Sequence, residues 1–171
     1  HVEKLLDYNL RQLKNLNISG CIQLTNKSLE AVSRQRNRIK SLLANTNINY
    51  TWPGVVDLLY NCEALDVVDF SNCPNIKFFG CITRLSHHPL DRDLKQFVSR
   101  SFKSVKLDGC VDIDEDSLDY ICGALLELEE VSLAYITAVS DPAVQALATG
   151  CPNLRKLHVQ GCKGVQHEAV K

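Results

Sequence analysis

Cysteine and histidine are typical ligands of structural zinc, and several of them fall close together in this chain. Four potential ligands lie within 16 positions, namely Cys73, Cys81, His87 and His88. A structural zinc site needs four convergent ligands, at spacings such as C-x-x-C or H-x-x-x-H. Neither spacing occurs in the sequence. We therefore expect no metal site and no cofactor.

A serine and a histidine could form a nucleophile–base pair. Ser132 and His158 occupy equivalent positions in two consecutive units of a sequence repeat, so neighbouring strands would bring them side by side. A catalytic triad also needs a carboxylate to orient the histidine. The equivalent residue on the other side of Ser132 is Lys106, and no unit follows His158 to supply an acid. The sequence also has no phosphate loop, dinucleotide fingerprint or G-x-S-x-G motif, so we expect no enzyme activity.

The composition is that of an ordinary folded chain. Of 171 residues 45% are apolar, and 19 basic side chains against 20 acidic ones give a formal net charge of −1. Nucleic-acid binders carry a clear basic excess, and a membrane helix needs 18 or more apolar residues in a row. The sequence therefore predicts neither a nucleic-acid partner nor a membrane span.

An internal repeat organises the chain. The segment Leu13-Lys-Asn-Leu16-Asn-Ile18-Ser-Gly-Cys21 has the same skeleton as Leu154-Arg-Lys-Leu157-His-Val159-Gln-Gly-Cys162. Copies begin at residues 13, 39, 65, 102, 128 and 154, the one at 39 being weaker. The starts differ by 26, 26, 37, 26 and 26 residues, so one unit carries an insertion of 11. A fixed period of this length is typical of repeat architectures.

Each unit changes its apolar period partway along. Leu16 and Ile18 alternate as in a short strand, whereas Leu29 and Val32 are spaced by three, as on one face of a helix. Residues suited to helix starts precede the second part, such as Thr25, Asp114 and Ser140-Asp141-Pro142. Each unit is therefore predicted to be strand, turn and helix, and the units must stack to bury their apolar faces.

The pattern L-x-x-L-x-L-x-x-C-x-x-(I/L) resembles the cysteine-containing leucine-rich repeats, as in the C-terminal domains of F-box proteins. The resemblance implies an α/β solenoid shaped as a horseshoe, with about six 26-residue strand-turn-helix repeats. Its parallel sheet would line the concave face and its helices the convex face. We interpret residues 1–171 as a single leucine-rich-repeat domain, with an insertion at about 78–93.

The two ends of the chain lack the polar caps that solenoids need. Residues 2–9 are interpreted as the helix of a preceding repeat, and Val165–Lys171 as the beginning of the sixth repeat's helix. The chain opens on His1 and has no Met. We therefore expect a fragment of a longer array.

Most of the eight cysteines follow the repeat. Four lie eight residues after a repeat start: Cys21, Cys73, Cys110 and Cys162. Asn47 and Ile136 take this position in the other two units, while Cys62 and Cys151 share another position. An exchange of Cys with Asn suits a small buried side chain that meets backbone groups better than it suits a cross-link. We expect free thiols, and hence a reducing compartment, the cytoplasm or nucleus.

The residues that flank the buried strand positions would point into the concavity, where we expect a protein partner to bind. The predicted contacts cluster toward the C-terminal half: Asp69, Lys106, Asp108, Glu130, Ser132, Lys156 and His158. The insertion adds possible contacts, since inserts in solenoids often lie on binding faces: Phe79, Arg84, His87 and His88. The insertion is equally compatible with a spacer.

The resemblance implies a protein–protein interaction module, and in particular the substrate-recognition domain of an F-box-type ubiquitin ligase subunit. A Skp-type adaptor and a cullin would then bind through an F-box outside this sequence. The alternative is a structural leucine-rich-repeat scaffold subunit of a large permanent assembly. Ligand-gated recognition, as in plant hormone receptors of the family, would need a pocket that the sequence does not indicate.

Overall fold

One parallel sheet runs through the molecule. The computed structural model describes residues 12–34, 38–76 and 102–166. Six strands lie side by side in chain order: β1 (Asn15–Asn17), β2 (Ser41–Leu43), β3 (Val67–Asp69), β4 (Ser104–Lys106), β5 (Glu130–Ser132) and β6 (Lys156–His158). The described part also has four helices between strands: α1 (Asn26–Ser33), α2 (Trp52–Asn61), α3 (Glu115–Ala124) and α4 (Asp141–Gly150). This α/β arrangement is consistent with a leucine-rich-repeat-like solenoid.

The strand register follows the repeat. Asn15 pairs with Ser41, Ser41 with Val67, and Val67 with Ser104. The same series continues through Glu130 to Lys156. Equivalent positions of consecutive units therefore lie next to one another, as the sequence predicts.

The core lies between the sheet and the helices. The central residues of the inner strands, such as Leu42 and Val68, are fully buried, and so are Leu29 and Val32 on α1. This burial pattern confirms the predicted change of apolar period inside each unit, because a strand buries alternate residues and a helix buries one face.

The helix starts fall where the sequence places them. The Thr25 side chain accepts a hydrogen bond from Lys27 N at the start of α1. Asp114 accepts one from Ser117 N (2.9 Å), and Ser140 is the residue that precedes α4. Thr51 precedes α2, and the preceding unit fixes its position: the Thr51 N–H donates to Asn26 Oδ1 (3.0 Å). Consecutive units are thus joined at their helix starts as well as along the sheet.

A left-handed backbone position recurs in the turn after each strand. It is taken by Gly20, Thr46, Asn72, Gly109, Tyr135 and Gly161, with φ between 56° and 72°. In the first five units the N–H of this residue donates to the next unit, as from Thr46 N to Ser71 O (2.8 Å). A non-glycine residue in this conformation costs about 1–2 kcal/mol. The stacking of units therefore imposes the conformation even on a β-branched threonine and on Tyr135.

The repeated cysteine position forms a buried ladder of hydrogen bonds to the preceding unit. Cys73, Cys110 and Cys162 donate to Ala44 O, Phe70 O and Leu133 O, at 3.5, 3.2 and 3.1 Å respectively. In the second unit Asn47 Nδ2 donates instead to two carbonyls, those of Cys21 (3.0 Å) and Leu24 (3.1 Å). The ladder confirms that this position meets backbone groups of the turn.

Seven of the eight cysteines lie in the described residues, and all seven are free thiols. Cys21 is half-buried and the other six are buried. Burial raises the pKa of the Cys73 thiol to about 11 and that of Cys110 to about 12. The thiolate, which is the reactive form, is therefore scarce in the folded protein.

Thiol titration should separate the folded from the unfolded protein. We expect nearly all eight cysteines to react with Ellman's reagent after denaturation without reduction. In the folded protein the buried thiols should react only as fast as the protein opens. Fewer reactive thiols after denaturation would reveal disulfides and contradict the expected reducing compartment.

Gly150, the last residue of α4, packs against the preceding unit. A Cβ at Gly150 would lie 2.9 Å from the carbonyl carbon of Cys122 and still closer to its oxygen. Alanine normally favours a helix over glycine by about 1 kcal/mol. We expect Gly150→Ala instead to lower the free energy of unfolding by about 1–3 kcal/mol, because the clash is with backbone.

Urea unfolding of Gly150→Ala measures this effect, with Gln145→Ala as the control. Gln145 is an exposed residue of the same helix, and its substitution should change stability by less than about 0.5 kcal/mol. A stability gain in Gly150→Ala would contradict the close approach of the two units.

Several predicted features fall outside the described residues. These are the insertion at about 78–93 with Phe79, Arg84, His87 and His88, and the helix predicted over residues 2–9. Most of the helix predicted from Val165 onward also lies outside them, since the description ends at Gln166. Across the described residues, no helix combines the length and apolar character needed to cross a bilayer.

Candidate binding face of the sheet

One face of the sheet carries the side chains that flank the buried strand centres, and we call it the open face. Its first two columns follow the strand pairing: Asn15, Ser41, Val67, Ser104, Glu130 and Lys156, then Asn17, Leu43, Asp69, Lys106, Ser132 and His158. A third column continues just beyond the strands: Ser19, Asn45, Ser71, Asp108, Ala134 and Gln160. All seven residues predicted to bind a partner lie in these columns.

Glu130 is the centre of a charged group at the C-terminal end of the open face. Its Oε1 lies 3.0 Å from Lys106 Nζ and 3.7 Å from His158 Nε2. Ser104 Oγ donates to Oε2 (3.4 Å). The hydrogen bond from Lys106 holds the pKa of the Glu130 carboxyl below its ordinary value, with a further contribution from the charge of Lys156. Glu130 thus joins three strands through one carboxylate.

Two aspartates are held by neutral donors in the middle of the face. Asp69 accepts from Asn45 Nδ2 (2.7 Å) and from Ser71 N (2.9 Å). Asp108 Oδ1 accepts from Ser132 Oγ (2.6 Å) and from Ala134 N (2.8 Å). Among the described residues neither aspartate makes an ion pair within 4.0 Å. The two carboxylates are oriented by the protein while their charge stays available to a partner.

The N-terminal part of the open face is uncharged. Asn15 and Asn17 on β1 are exposed, and Leu43 and Val67 on the next two strands are half-buried. The face therefore changes along the sheet from amide and aliphatic groups, through acidic groups, to a mixed group that contains three basic side chains.

The structure brings five of the seven predicted residues into two contacting groups. Lys106, Glu130 and His158 form one, and Asp108 with Ser132 forms the other. Asp69 lies beside Ser71, whose Oγ accepts from Asp108 N (3.2 Å). Lys156 is exposed at the outer strand. Whether these residues bind a partner stays a prediction.

Ser132 has a supporting position in this network. Its side chain is 4% exposed, and its hydroxyl donates to Asp108. A partner could reach Asp108 more readily than Ser132. The serine therefore orients a carboxylate and offers little contact area of its own.

The expected absence of an acid beside His158 is wrong. Glu130 belongs to the first column and His158 to the second, yet the glutamate side chain reaches diagonally to it. Long side chains span such diagonals, which a comparison of equivalent positions alone does not detect. Ser132 nevertheless donates to Asp108, so the pair of Ser132 with His158 lacks the hydrogen bond that would activate a nucleophile.

Within the described ranges no three His, Cys, Asp or Glu side chains converge as metal ligands. Cys73 donates to Ala44 O, as a ladder residue does. The other three potential ligands considered above, Cys81, His87 and His88, lie outside these ranges.

The polar residues that hold the charged groups were not singled out from the sequence. Asn45 and Ser104 donate to the carboxylates of Asp69 and Glu130, and Ser71 Oγ accepts from the backbone N–H of Asp108. Ser71 and Ser104 are each only 8% exposed, so they support the charged residues and offer little surface to a partner. Ser71 and Ser104 are each adjacent to an acidic residue in their own repeat column, whereas Asn45 reaches Asp69 diagonally from the neighbouring column.

Glu130 should make the stability of the protein depend on pH. A carboxyl whose pKa is lowered by folding stabilises the folded state above its unfolded pKa of about 4.3. That contribution is lost as the pH falls through the folded pKa. We expect Glu130→Gln to cost about 0.2–1 kcal/mol at pH 7, as surface ion pairs do, and less at pH 3.

Urea unfolding at pH 7 and pH 3 tests this dependence. Glu129→Gln removes the same charge from an exposed neighbouring side chain and is the matched control. An equal loss for Glu130→Gln at both pH values would show that the effect does not come from the ionised carboxyl.

The fold has a solved counterpart, although no family model matches the sequence. A chain in the crystal structure of the Rad7 and Elc1 complex in yeast is similar, with a TM-score of 0.74 and 20% sequence identity. The likeness covers 98% of this protein and 40% of that chain, so the protein spans about two fifths of its length. At this identity the likeness shows a shared fold alone.

Proposed function

We propose that this protein is a protein–protein interaction module and serves as the substrate-recognition domain of an F-box-type ubiquitin ligase subunit. The proposal includes a leucine-rich-repeat horseshoe of about six 26-residue repeats, with the open face as its concave side. The observation that carries it is the open face itself. There, charged side chains from consecutive strands are held in place by hydrogen bonds and remain accessible.

The recurrence of backbone features supports the solenoid. The left-handed residues are 26, 26, 37, 26 and 26 positions apart, as are the repeat starts. The cysteine ladder binds the third, fourth and sixth units to the ones before them. A rigid repeat scaffold keeps its surface side chains at fixed spacings, which favours the recognition of one extended partner.

The electrostatics of the face also favour binding. Complementary charges steer association and select among partners. On the open face Asp69 and Asp108 lack cationic neighbours within ion-pair distance among the described residues, and Lys156 is exposed. A partner with the opposite charges at these positions would form new ion pairs with these groups, and these would favour binding.

The similar solved chain belongs to a complex of Rad7 and Elc1. A protein partner for the present fold is consistent with that assembly. We propose a Skp-type adaptor and a cullin as further partners, bound through an F-box elsewhere in the full-length protein. The seven free cysteines support a reducing compartment, and we propose the cytoplasm or nucleus.

Affinity purification of the full-length protein from its native cells, followed by mass spectrometry, tests the ubiquitin ligase role. We expect a Skp-type adaptor and a cullin in stoichiometric amounts. A fixed set of structural subunits without an adaptor would overturn this role and favour a scaffold subunit of a permanent assembly.

A pair of substitutions tests the use of the open face. Val67→Lys with Lys156→Glu changes its charge pattern at two accessible positions. The control, Gln23→Lys with Lys27→Glu, makes the same net change at exposed residues outside the three columns. We expect the first pair to abolish partner capture and the second to preserve it. Unchanged capture by a folded open-face variant would contradict the proposal.

A further inference from the structure

The open face has three chemically distinct zones in a fixed order across the strands. This inference rests on the proposed function and specifies the chemistry of the partner. The apolar zone is formed by Leu43 on β2 and Val67 on β3, on neighbouring strands of the face. Both side chains are half-buried. An aliphatic side chain that packed between them would remove more of their apolar surface from water, which is favourable.

The acidic zone follows on β3 and just beyond β4. Asp69 uses each carboxylate oxygen for one neutral donor. Asp108 receives both of its hydrogen bonds at Oδ1, and no described residue bonds to its Oδ2. Lys106 pairs with Asp69 in the strand register, yet its ammonium contacts Glu130. The zone is therefore a fixed pair of carboxylates that a basic side chain would neutralise.

The basic zone lies at β6. Lys156 is exposed, and the His158 side chain is 42% exposed. Glu130, which pairs with Lys156 in the strand register, is bonded to Lys106 at 3.0 Å. Lys156 acts on Glu130 only through its charge, and among the described residues its ammonium makes no hydrogen bond or ion pair within 4.0 Å. It can therefore donate to an acidic group of a partner.

The spacing of the zones matches an extended peptide. Neighbouring strands are about 4.8 Å apart, so β2 and β6 are separated by about 19 Å. An extended chain rises about 3.3 Å per residue, and six residues span about 20 Å. Residues at i, i+2 and i+6 point to the same side of such a chain. They would face the apolar, acidic and basic zones respectively.

We infer that the open face binds an extended peptide that crosses the strands and presents an apolar, a basic and an acidic side chain in that order from β2 to β6. The basic residue is two positions from the apolar one, and the acidic residue is four positions further. The zones set the order of side chains across the sheet, and the direction of the peptide chain is measured in the test.

Fluorescence anisotropy at low ionic strength tests this order with labelled peptides. The first peptide is Leu-Ser-Arg-Ser-Ser-Ser-Glu, and the second has the same residues in reverse. Each has a control of identical composition in which Arg and Glu are exchanged. We expect one of the two peptides to bind at least tenfold more tightly than its control. Equal binding of peptides and controls, or no binding, would overturn the inference.

Two variants connect the zones to the peptide. Asp108→Asn retains an oxygen acceptor for Ser132 and Ala134 while it removes the charge, so binding should weaken about fivefold with unchanged stability. Lys156→Glu should reverse the preference at the acidic position, and a peptide with Arg there should bind more tightly. Loss of binding without this reversal would contradict the assignment of the basic zone.

The two proposals fail separately. If the open-face pair of substitutions abolishes partner capture while the peptides do not discriminate, the inference is wrong and the proposed function stands. If that folded pair still captures the partner, the proposed use of the open face is wrong, whatever the peptides do.

Discussion

Replacing Asn47 with alanine is expected to lower the free energy of unfolding by about 3 kcal/mol or more. The Asn47 side chain is fully buried and joins two units. Its Nδ2 donates to Cys21 O and Leu24 O, and its Oδ1 accepts from Asn49 N (2.7 Å). Alanine removes all three bonds. Cys21 O keeps the bond from Leu24 N (2.9 Å), whereas Leu24 O loses a buried donor and Asn49 N loses its acceptor. Chemical unfolding in urea measures the loss.

The repeat provides matched controls for Asn47→Ala. Asn47→Cys introduces the residue that the same position has in four other units, and it should keep burial and one weak donor. Cys73→Ala removes a thiol that donates to Ala44 O over 3.5 Å. We expect Asn47→Ala to be the most destabilising of the three. A loss no larger than that of Cys73→Ala would show that the amide bonds add little.

The register of the sheet could be predicted because it follows from the repeat alone. Once the repeat starts are aligned, residues 26 positions apart lie side by side, or 37 apart across the insertion, so the Asn15 and Asn17 columns are fixed by counting. The same reasoning predicted a buried ladder at Cys73 and Cys110. A parallel sheet repeats its hydrogen bonds from strand to strand, and the sequence period carries that information.

The direction of the long side chains could not be predicted in this way. Lys106 pairs with Asp69 in the strand register, yet its ammonium contacts Glu130 on the next strand. A long side chain can reach several neighbours, and its rotamer decides which one it contacts. Sequence columns place residues side by side but do not order their competing hydrogen bonds.

Residue preference also failed to indicate the left-handed turns. Glycine at Gly20 or Gly109 suggests a positive φ, but Thr46 and Tyr135 adopt it as well. Their N–H groups donate to carbonyls of the next unit, at 2.8 and 2.9 Å. Tertiary hydrogen bonds therefore outweigh the local cost at these positions. Tyr135 is also 67% exposed, which its apolar character alone would not predict.

Phe70→Ala is expected to lower the free energy of unfolding by about 3–5 kcal/mol, the range for a large aromatic side chain removed from a core. Phe70 is fully buried, and its ring meets that of Tyr50 edge to face, with centroids 6.5 Å apart. The equivalent position in the preceding unit is Ala44, which is also fully buried. Because Tyr50 belongs to that preceding unit, the Phe70 ring packs across the boundary between two units. Urea unfolding measures the loss.

A smaller substitution distinguishes the loss of buried volume from the loss of the ring contact as the cause of the Phe70 effect. Phe70→Leu keeps most of the buried apolar volume and loses the ring contact with Tyr50, so it should cost less than half as much as Phe70→Ala. In a stacked array each unit is stabilised by its neighbours. A cavity at Phe70 should therefore also lower the hydrogen-exchange protection of Ala44 N and Phe70 N, which donate across β2, β3 and β4. Equal losses for the two variants would show that packed volume is not the cause. Unchanged protection of both amides would show that the units are stabilised independently.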